Sequence, residues 1–395
     1  MAVFWKPMAA GLLLTVSLTL LEWGVEGQGG TQAKKVVSGE ATVYLGQDRE
    51  IWRPIIQTAS NLSDISSIKS SFQLRTFDPE GAIFYGDTKN GDDWFVLGLK
   101  DGLPLMQFSI GGNHVSAEGG PQLNDGKWHK LEVSNQENFV ILDVDGSKGL
   151  VVGMGGPSKQ KEEVLTGELR LALGGILIDK EKMMIQFDPK MDGCVREGSW
   201  LNLRAPWEVE VEELWPCYQD IIPGSFFPGT GFAVFNTSVF PVEDGKGVKI
   251  EFRGNFTLMH GTILSIRAPG QEMMLTLMAD NNTQEVTLTF GSEKISMKSD
   301  NFKKLVITFE EEMLQVFQGR DKFQDLQIKS VSNSGFLTTW RNGRIAFGGL
   351  LGEGEDNVGS QFLTGCLETI QVMGRDLDLD FTVKHPSIVS HSCPA

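Results

Sequence analysis

Two polar residues stand where strand alternation otherwise places apolar ones. Asp93 shares the parity of Phe95, Leu97 and Leu99, and Ser70 shares that of Phe72 and Leu74. A carboxylate on such a face is costly unless something donates to it. A hydroxyl of a bound apolar ligand is one such donor. The alternative is a turn role, because Gly91-Asp92-Asp93 follows a hairpin bend and Asp often bonds nearby backbone there. A second acidic pair, Asp78 and Glu80 in Asp-Pro-Glu-Gly, offers hard oxygens in a loop, as calcium prefers. A third pair, Asp143 and Asp145, lies on one strand face, where a glycoside hydrolase could draw on two carboxylates. Asp145 opens an Asp-Gly turn, however, and no further acid completes an array. The histidines (His114, His129, His260, His385, His391) show neither metal nor triad spacing.

The elements that must position these residues read as short strands. Phe72-Gln73-Leu74-Arg75 alternates apolar and polar side chains. Asp-Gly separates apolar runs at Lys100-Asp101-Gly102 and Val144-Asp145-Gly146, the strongest short hairpin signal. Helical patterning is confined to Glu162–Leu169 and Glu208–Leu214. Many short strands between regular turn signals predict an all-β fold of antiparallel sandwiches.

The chain is also a tandem repeat. Leu171-Ala172-Leu173-Gly174-Gly175, Gly193-Cys194 and Cys217 recur as Ile345-Ala346-Phe347-Gly348-Gly349, Gly365-Cys366 and Cys393. Solenoid units have periods of roughly 20–50 residues, so a longer repeat means two whole domains. All four cysteines fall inside the pattern. It favours the pairs Cys194–Cys217 and Cys366–Cys393, which give both domains the same bridge. A zinc site lacks the closely spaced Cys or His pairs it would need.

Lys6, the apolar stretch Met8–Leu21 and Val25-Glu26-Gly27 read as a secretory leader over residues 1–27. The domains then span 28–217 and 218–395, with the boundary near Pro223-Gly224. No stretch is long enough for a membrane helix, which needs about 20 apolar residues. The expected protein is secreted and extracellular, with its cysteines oxidised. Sequons begin at Asn61, Asn236, Asn255 and Asn281, each a glycosylation acceptor on a surface loop. A net charge of −16 argues against nucleic acid and polyanionic partners.

The strings Arg75-Thr76-Phe77-Asp78-Pro79-Glu80-Gly81, Asp92-Asp93-Trp94-Phe95 and Asp125-Gly126-Lys127-Trp128-His129 resemble those of laminin G-like modules. More narrowly, the run from Ser70 to Leu201 is similar to the amino-terminal module of the sex hormone-binding globulin (androgen-binding protein) family. The resemblance covers nearly the whole mature chain and is looser in the second module. It implies two jelly-roll-like sandwiches and a plasma carrier holding androgens or estrogens between the sheets of the first. It also implies a homodimer formed through that module.

The matching residues carry the family's roles as expectations. Ser70 bonds the ring-A oxygen, Asp93 the far ring-D oxygen, and Phe95 packs on the steroid. Val133, Leu169 and Leu201 line the apolar wall, although ordinary core is the plainer reading of such residues. Two positions depart from the family. Ile110 replaces an asparagine that anchors ring D, and Asn135 replaces a methionine; Asn113 could stand in for the lost anchor if the strand bulges at Gly111-Gly112. Loss of one hydrogen bond costs roughly 0.5–1.5 kcal/mol, so binding should survive. The resemblance places a structural calcium at Asp78 and Glu80, completed by the backbone carbonyl of Lys190. It places no zinc, because Gly111 stands where the family has a histidine. In the second module Met274-Leu275-Thr276-Leu277 replaces the Asp92–Phe95 string, and no steroid is expected there. The rival readings are an adhesion or receptor-binding laminin G protein, whose surface is usually basic, and a hydrolase.

Overall fold

Strand Asp93–Lys100 is buried on both faces, and that sets the layering of the first domain. Leu97 and Leu99 point into a core between two sheets, with Phe95 packed against it. Trp94 and Val96 point the other way, under a cover made by Ile176, Ile178, Met183 and Phe187. The strand therefore reads as a nearly continuous apolar run rather than a clean alternation. The computed structural model describes residues 35–46, 53–65, 67–88, 91–136, 139–153, 167–201, 203, 206–209, 214–242, 246–268, 270, 274–310, 313–320, 326–332, 336–352 and 361–395. The leader expected over residues 1–27 lies outside these residues.

Two antiparallel sheets stack in the first domain. Asp93–Lys100 belongs to an 8-stranded sheet, between Gly81–Thr88 and Leu103–Ile110. Ser70–Thr76 belongs to a 6-stranded sheet, between His129–Gln136 and Gly193–Ser199. The Asp-Gly hairpins form as the sequence predicts. Asp101 and Gly102 take φ of 51° and 77°, and Asp145 and Gly146 take 51° and 79°, the left-handed pair a two-residue turn requires. Both turns carry the right-handed twist of their strands and so fix the register.

The second domain repeats the plan with a 7-stranded and a 6-stranded sheet. Both disulfides, Cys194–Cys217 and Cys366–Cys393, are formed. Each ties the end of its domain back to the strand that follows the Gly-Cys step. Residues Lys35–Ala395 make one compact unit holding both sandwiches. Strand Ile221–Pro223, at the start of the second domain, pairs with Ser392–Pro394 at its end.

Helical patterning was the weaker guide. Leu169 lies in strand Glu168–Leu173, and Glu208 lies in strand Trp207–Val209; the remainders of those two segments, 162–166 and 210–213, are outside the described residues. The α-helix among the described residues is Phe336–Arg341, which the apolar spacing did not reveal because only six residues carry it. Among the described residues, no helix is long and apolar enough to cross a membrane.

Candidate functional site

Ser70 opens its strand directly opposite Val133, and its hydroxyl is 1% exposed. The Ser70 Oγ accepts a hydrogen bond from the backbone N–H of Leu201 at 3.1 Å and donates to the carbonyl of Ile68 at 3.3 Å. Leu201 holds a left-handed backbone, with φ of 51°, where a bulky residue is rare. That turn aims its N–H at Ser70 and its side chain into the core. Three of the expected residues, Ser70, Val133 and Leu201, thus meet on the smaller sheet.

The larger sheet supplies the facing wall. Leu169 is buried in the intersheet core, and Phe95 packs on it between Phe84 and Phe108, with ring centroids 5.1 and 6.4 Å away. Phe95 keeps this position because Gly86 stands across from it; a Cβ there would sit 2.4 Å from the ring. Asp93 starts the same strand half-buried, and its Oδ1 accepts the N–H of Gly111 at 2.7 Å. The turn reading of Asp93 is therefore half right, since its carboxylate braces the next hairpin while standing at the slot's edge.

The two departing positions lie at the rim. Ile110 ends its strand 46% exposed, and Asn135 is exposed on strand His129–Gln136. Asn113 pairs with Ile110 across Gly111-Gly112, whose φ of 56° and 78° make a two-residue turn in place of the bulge considered above. Asn113 is exposed as well. All four sequon asparagines are exposed.

One member of the hydrolase pair, Asp145, is otherwise occupied. Asp145 accepts from the backbone of Lys130 and lies 2.8 Å from His129 Nδ1, while Asp125 lies 3.0 Å from His129 Nε2. Burial of the ring lowers the His129 pKa, but the bonds to Asp145 and Asp125 outweigh it and the net shift is upward. Carboxylates only accept, so both ring nitrogens must carry protons.

The expected calcium residues Asp78, Glu80 and Lys190 do line one cleft, together with Asp101, Asp188, Asp378, Asp380 and His391. The tightest ligand set in it is different from the expected one. Single ligand atoms of Asp78, Asp192, Asp380 and His391 all lie within 4.8 Å of one another, and two of these residues come from the second domain. Glu80 instead accepts the N–H of Asp188 at 3.0 Å. Burial pushes the carboxyls of Asp78, Asp188 and Asp378 above the usual carboxylate range. A donor set of hard, partly desolvated oxygens fits a hard divalent cation. Nothing in the sequence pointed to Asp192, Asp380 or His391, which are separated by up to 199 positions (391 − 192).

Known proteins place these features in a family. The laminin G domain pattern matches residues 74–205. Rat sex hormone-binding globulin is 31% identical over 354 residues, covering 86% of this chain and 84% of that protein. The human protein is 31% identical over 348 residues, with the same coverage. The chain belongs to the sex hormone-binding globulin family. Its fold extends further: domains LG4-5 of the mouse laminin alpha1 chain superpose with a TM-score of 0.63 at 18% identity, covering 99% of this chain and 100% of that one.

Proposed function

We propose that this globulin-family chain is a secreted carrier that holds an androgen or estrogen between the sheets of its first domain. The observation that carries the reading is convergence. Val133, Leu201, Phe95 and Leu169 pack in one apolar core, Ser70 bonds Leu201 beside it, and Asp93 heads the strand that carries Phe95. A rigid apolar slab with a polar group at each end is the ligand such a slot suits.

The geometry divides the work between the two polar ends. Leu201 occupies an acceptor site of Ser70, so the Ser70 proton, now on the longer bond to Ile68, is available to a ligand oxygen. At the other end Asp93 can only accept, and Ile110 offers no donor. A ligand hydroxyl is therefore favoured over a ketone beside Asp93. Burying about 400 Å² of steroid at ~25 cal/mol/Å² gives on the order of 10 kcal/mol before association costs. Two hydrogen bonds and a preformed slot bring the net near a nanomolar constant, about −12 kcal/mol.

Calcium belongs to the same reading. Asp78 and Glu80 would hold it in the cleft with the Lys190 carbonyl, where it would supply charge that offsets the buried carboxylates. The family also supports a homodimer through the first domain, to be read from the mass in solution. The deciding test is equilibrium binding of labelled dihydrotestosterone and estradiol, with calcium present. Saturable binding near nanomolar supports the carrier. No binding up to micromolar steroid would move the function to glycan or receptor recognition by a laminin G pair.

A further inference from the structure

The acid cleft is where the second domain touches the first, and its cations are already in it. Asp192 of the first domain accepts from Tyr44 Oη at 3.0 Å with one oxygen and from the Ser390 N–H of the second domain at 2.7 Å with the other. The backbone N–H of Asp192 donates to Asp78 at 2.8 Å. Across the junction, Ser390 Oγ donates to Asp380 at 2.9 Å, and His391 Nε2 lies 2.9 Å from Asp380 and 3.5 Å from Asp78. Lys384 Nζ bonds Asp380 and Ser390 Oγ, and its side chain is 4% exposed. Three acids, Asp78, Asp192 and Asp380, thus surround Lys384 and His391 of the second domain, while Lys190 of the first domain reaches Asp380 from the rim at 4.0 Å.

Two independent contacts hold the same edge. Phe226 and Val389 exchange backbone hydrogen bonds and pack with Tyr44 and Cys194. Arg75 of the first domain reaches the connecting segment, donating to the carbonyls of Tyr218 and Gln219. A lysine buried this deeply costs several kcal/mol unless paired, so its presence marks a site built for a fixed charge.

We infer that Lys384 and His391 are the resident counter-ions of this pocket and lock the second domain onto the first with no metal ion. A divalent cation at Asp78 then competes with them, because each added positive charge weakens the pull of the same carboxylates. His391 Nε2 faces three carboxylates, those of Asp380, Asp78 and Asp378, at 2.9, 3.5 and 3.7 Å, so the ring sits where a positive charge is held. The calcium arm of the inference rests on the cation reading given above; the docking arm does not.

The test uses the full chain and hydrogen exchange of residues 388–393, whose Ser390 N–H reports the junction. With chelator, wild-type protein should keep these amides protected. Lys384→Met should raise their exchange at least tenfold, Lys384→Arg should restore protection, and strand Leu275–Asp280 should be unmoved, showing that the domain remains folded. Asp192→Asn, altered on the first-domain side, should loosen the same amides and covers the case in which Lys384→Met unfolds its own domain. Calcium titration by calorimetry should show about tenfold tighter binding to Lys384→Met than to wild type. Loosening of the wild-type junction by chelator alone would overturn the lock, as would unchanged exchange in both Lys384→Met and Asp192→Asn. Equal calcium affinity would overturn the competition. If neither protein binds calcium while the exchange pattern holds, the lock stands and the cation reading falls.

Discussion

The two domains share a fold and a disulfide plan but fill their centres in opposite ways. The register aligns them: Phe72 pairs with Leu131 in the first, and Phe252 with Leu305 in the second. Two positions along, the first has Ser70 opposite Val133, where the second has Ile250 opposite Ile307. Two further, the first has the exposed Asn135 and the second has Phe309, fully buried. Phe309 stacks on Phe336 of the short helix, with centroids 3.5 Å apart, and Trp340 closes the layer. On the opposite sheet the strand pairing sets the half-buried Phe95 against the buried Leu275, two positions from the Leu277 that the string comparison matched to it. On the proposed reading, a few side chains at one end of two strands decide whether such a sandwich holds a ligand or seals its core.

The largest effect expected from this contrast is on stability. Phe336→Ala should open the sealed core and destabilise the second domain by about 3–5 kcal/mol in denaturant titration, without changing steroid affinity. A change in affinity would show that the domains are not separate in function. Next is Ser70→Ile, which writes the second domain's residue into the first. It strands the buried Leu201 N–H and adds bulk, so steroid affinity should fall about a hundredfold and thermal unfolding should also shift to lower temperature. Retained affinity would reject the assigned slot.

Asp93→Asn should be milder. The neutral amide weakens a charge-assisted bond and can also donate, so 17-hydroxy steroids should lose about tenfold while 17-keto steroids lose less. An equal loss for both would mean that Asp93 only braces Gly111. The smallest effect concerns His129, which clasps two turns of the first domain. Its folded form is the protonated one, so its contribution is complete below the ordinary value of 6.5 and fades as pH rises through the raised one. His129→Gln should lower Tm by about 2 °C at pH 6 and by less at pH 9, as expected for a largely exposed ion pair. No pH difference would indicate that the ring is held by packing alone.

Much of this was legible from the chain. Asp101-Gly102 and Asp145-Gly146 named their hairpins because few residues tolerate left-handed φ. The duplicated Gly-Cys and Cys positions named both bridges, since a repeat imposes one answer on each copy. The parity of Ser70 and Asp93 marked them as polar groups on apolar faces, and both stand at the intersheet core. Local rules misread Leu169 and Glu208, where sheet pairing overrides a weak helical pattern. They also missed Phe336–Arg341, whose stability comes from packing two aromatics and not from propensity.

The sequence by itself determined the periodicities of this protein: strand alternation, tight turns and a duplicated disulfide plan. These depend on neighbours along the chain, and a local rule can read them. Only the tertiary structure decided which side chains meet across the junction, and that Asp78 faces Asp380 and His391 where Glu80 was expected. Such contacts join residues some 200 to 300 positions apart, and they arise when two separately folded cores dock. Whether a buried carboxylate is met by a metal, a lysine or a ligand depends on what docking brings to it, and spacing along the chain carries no trace of that.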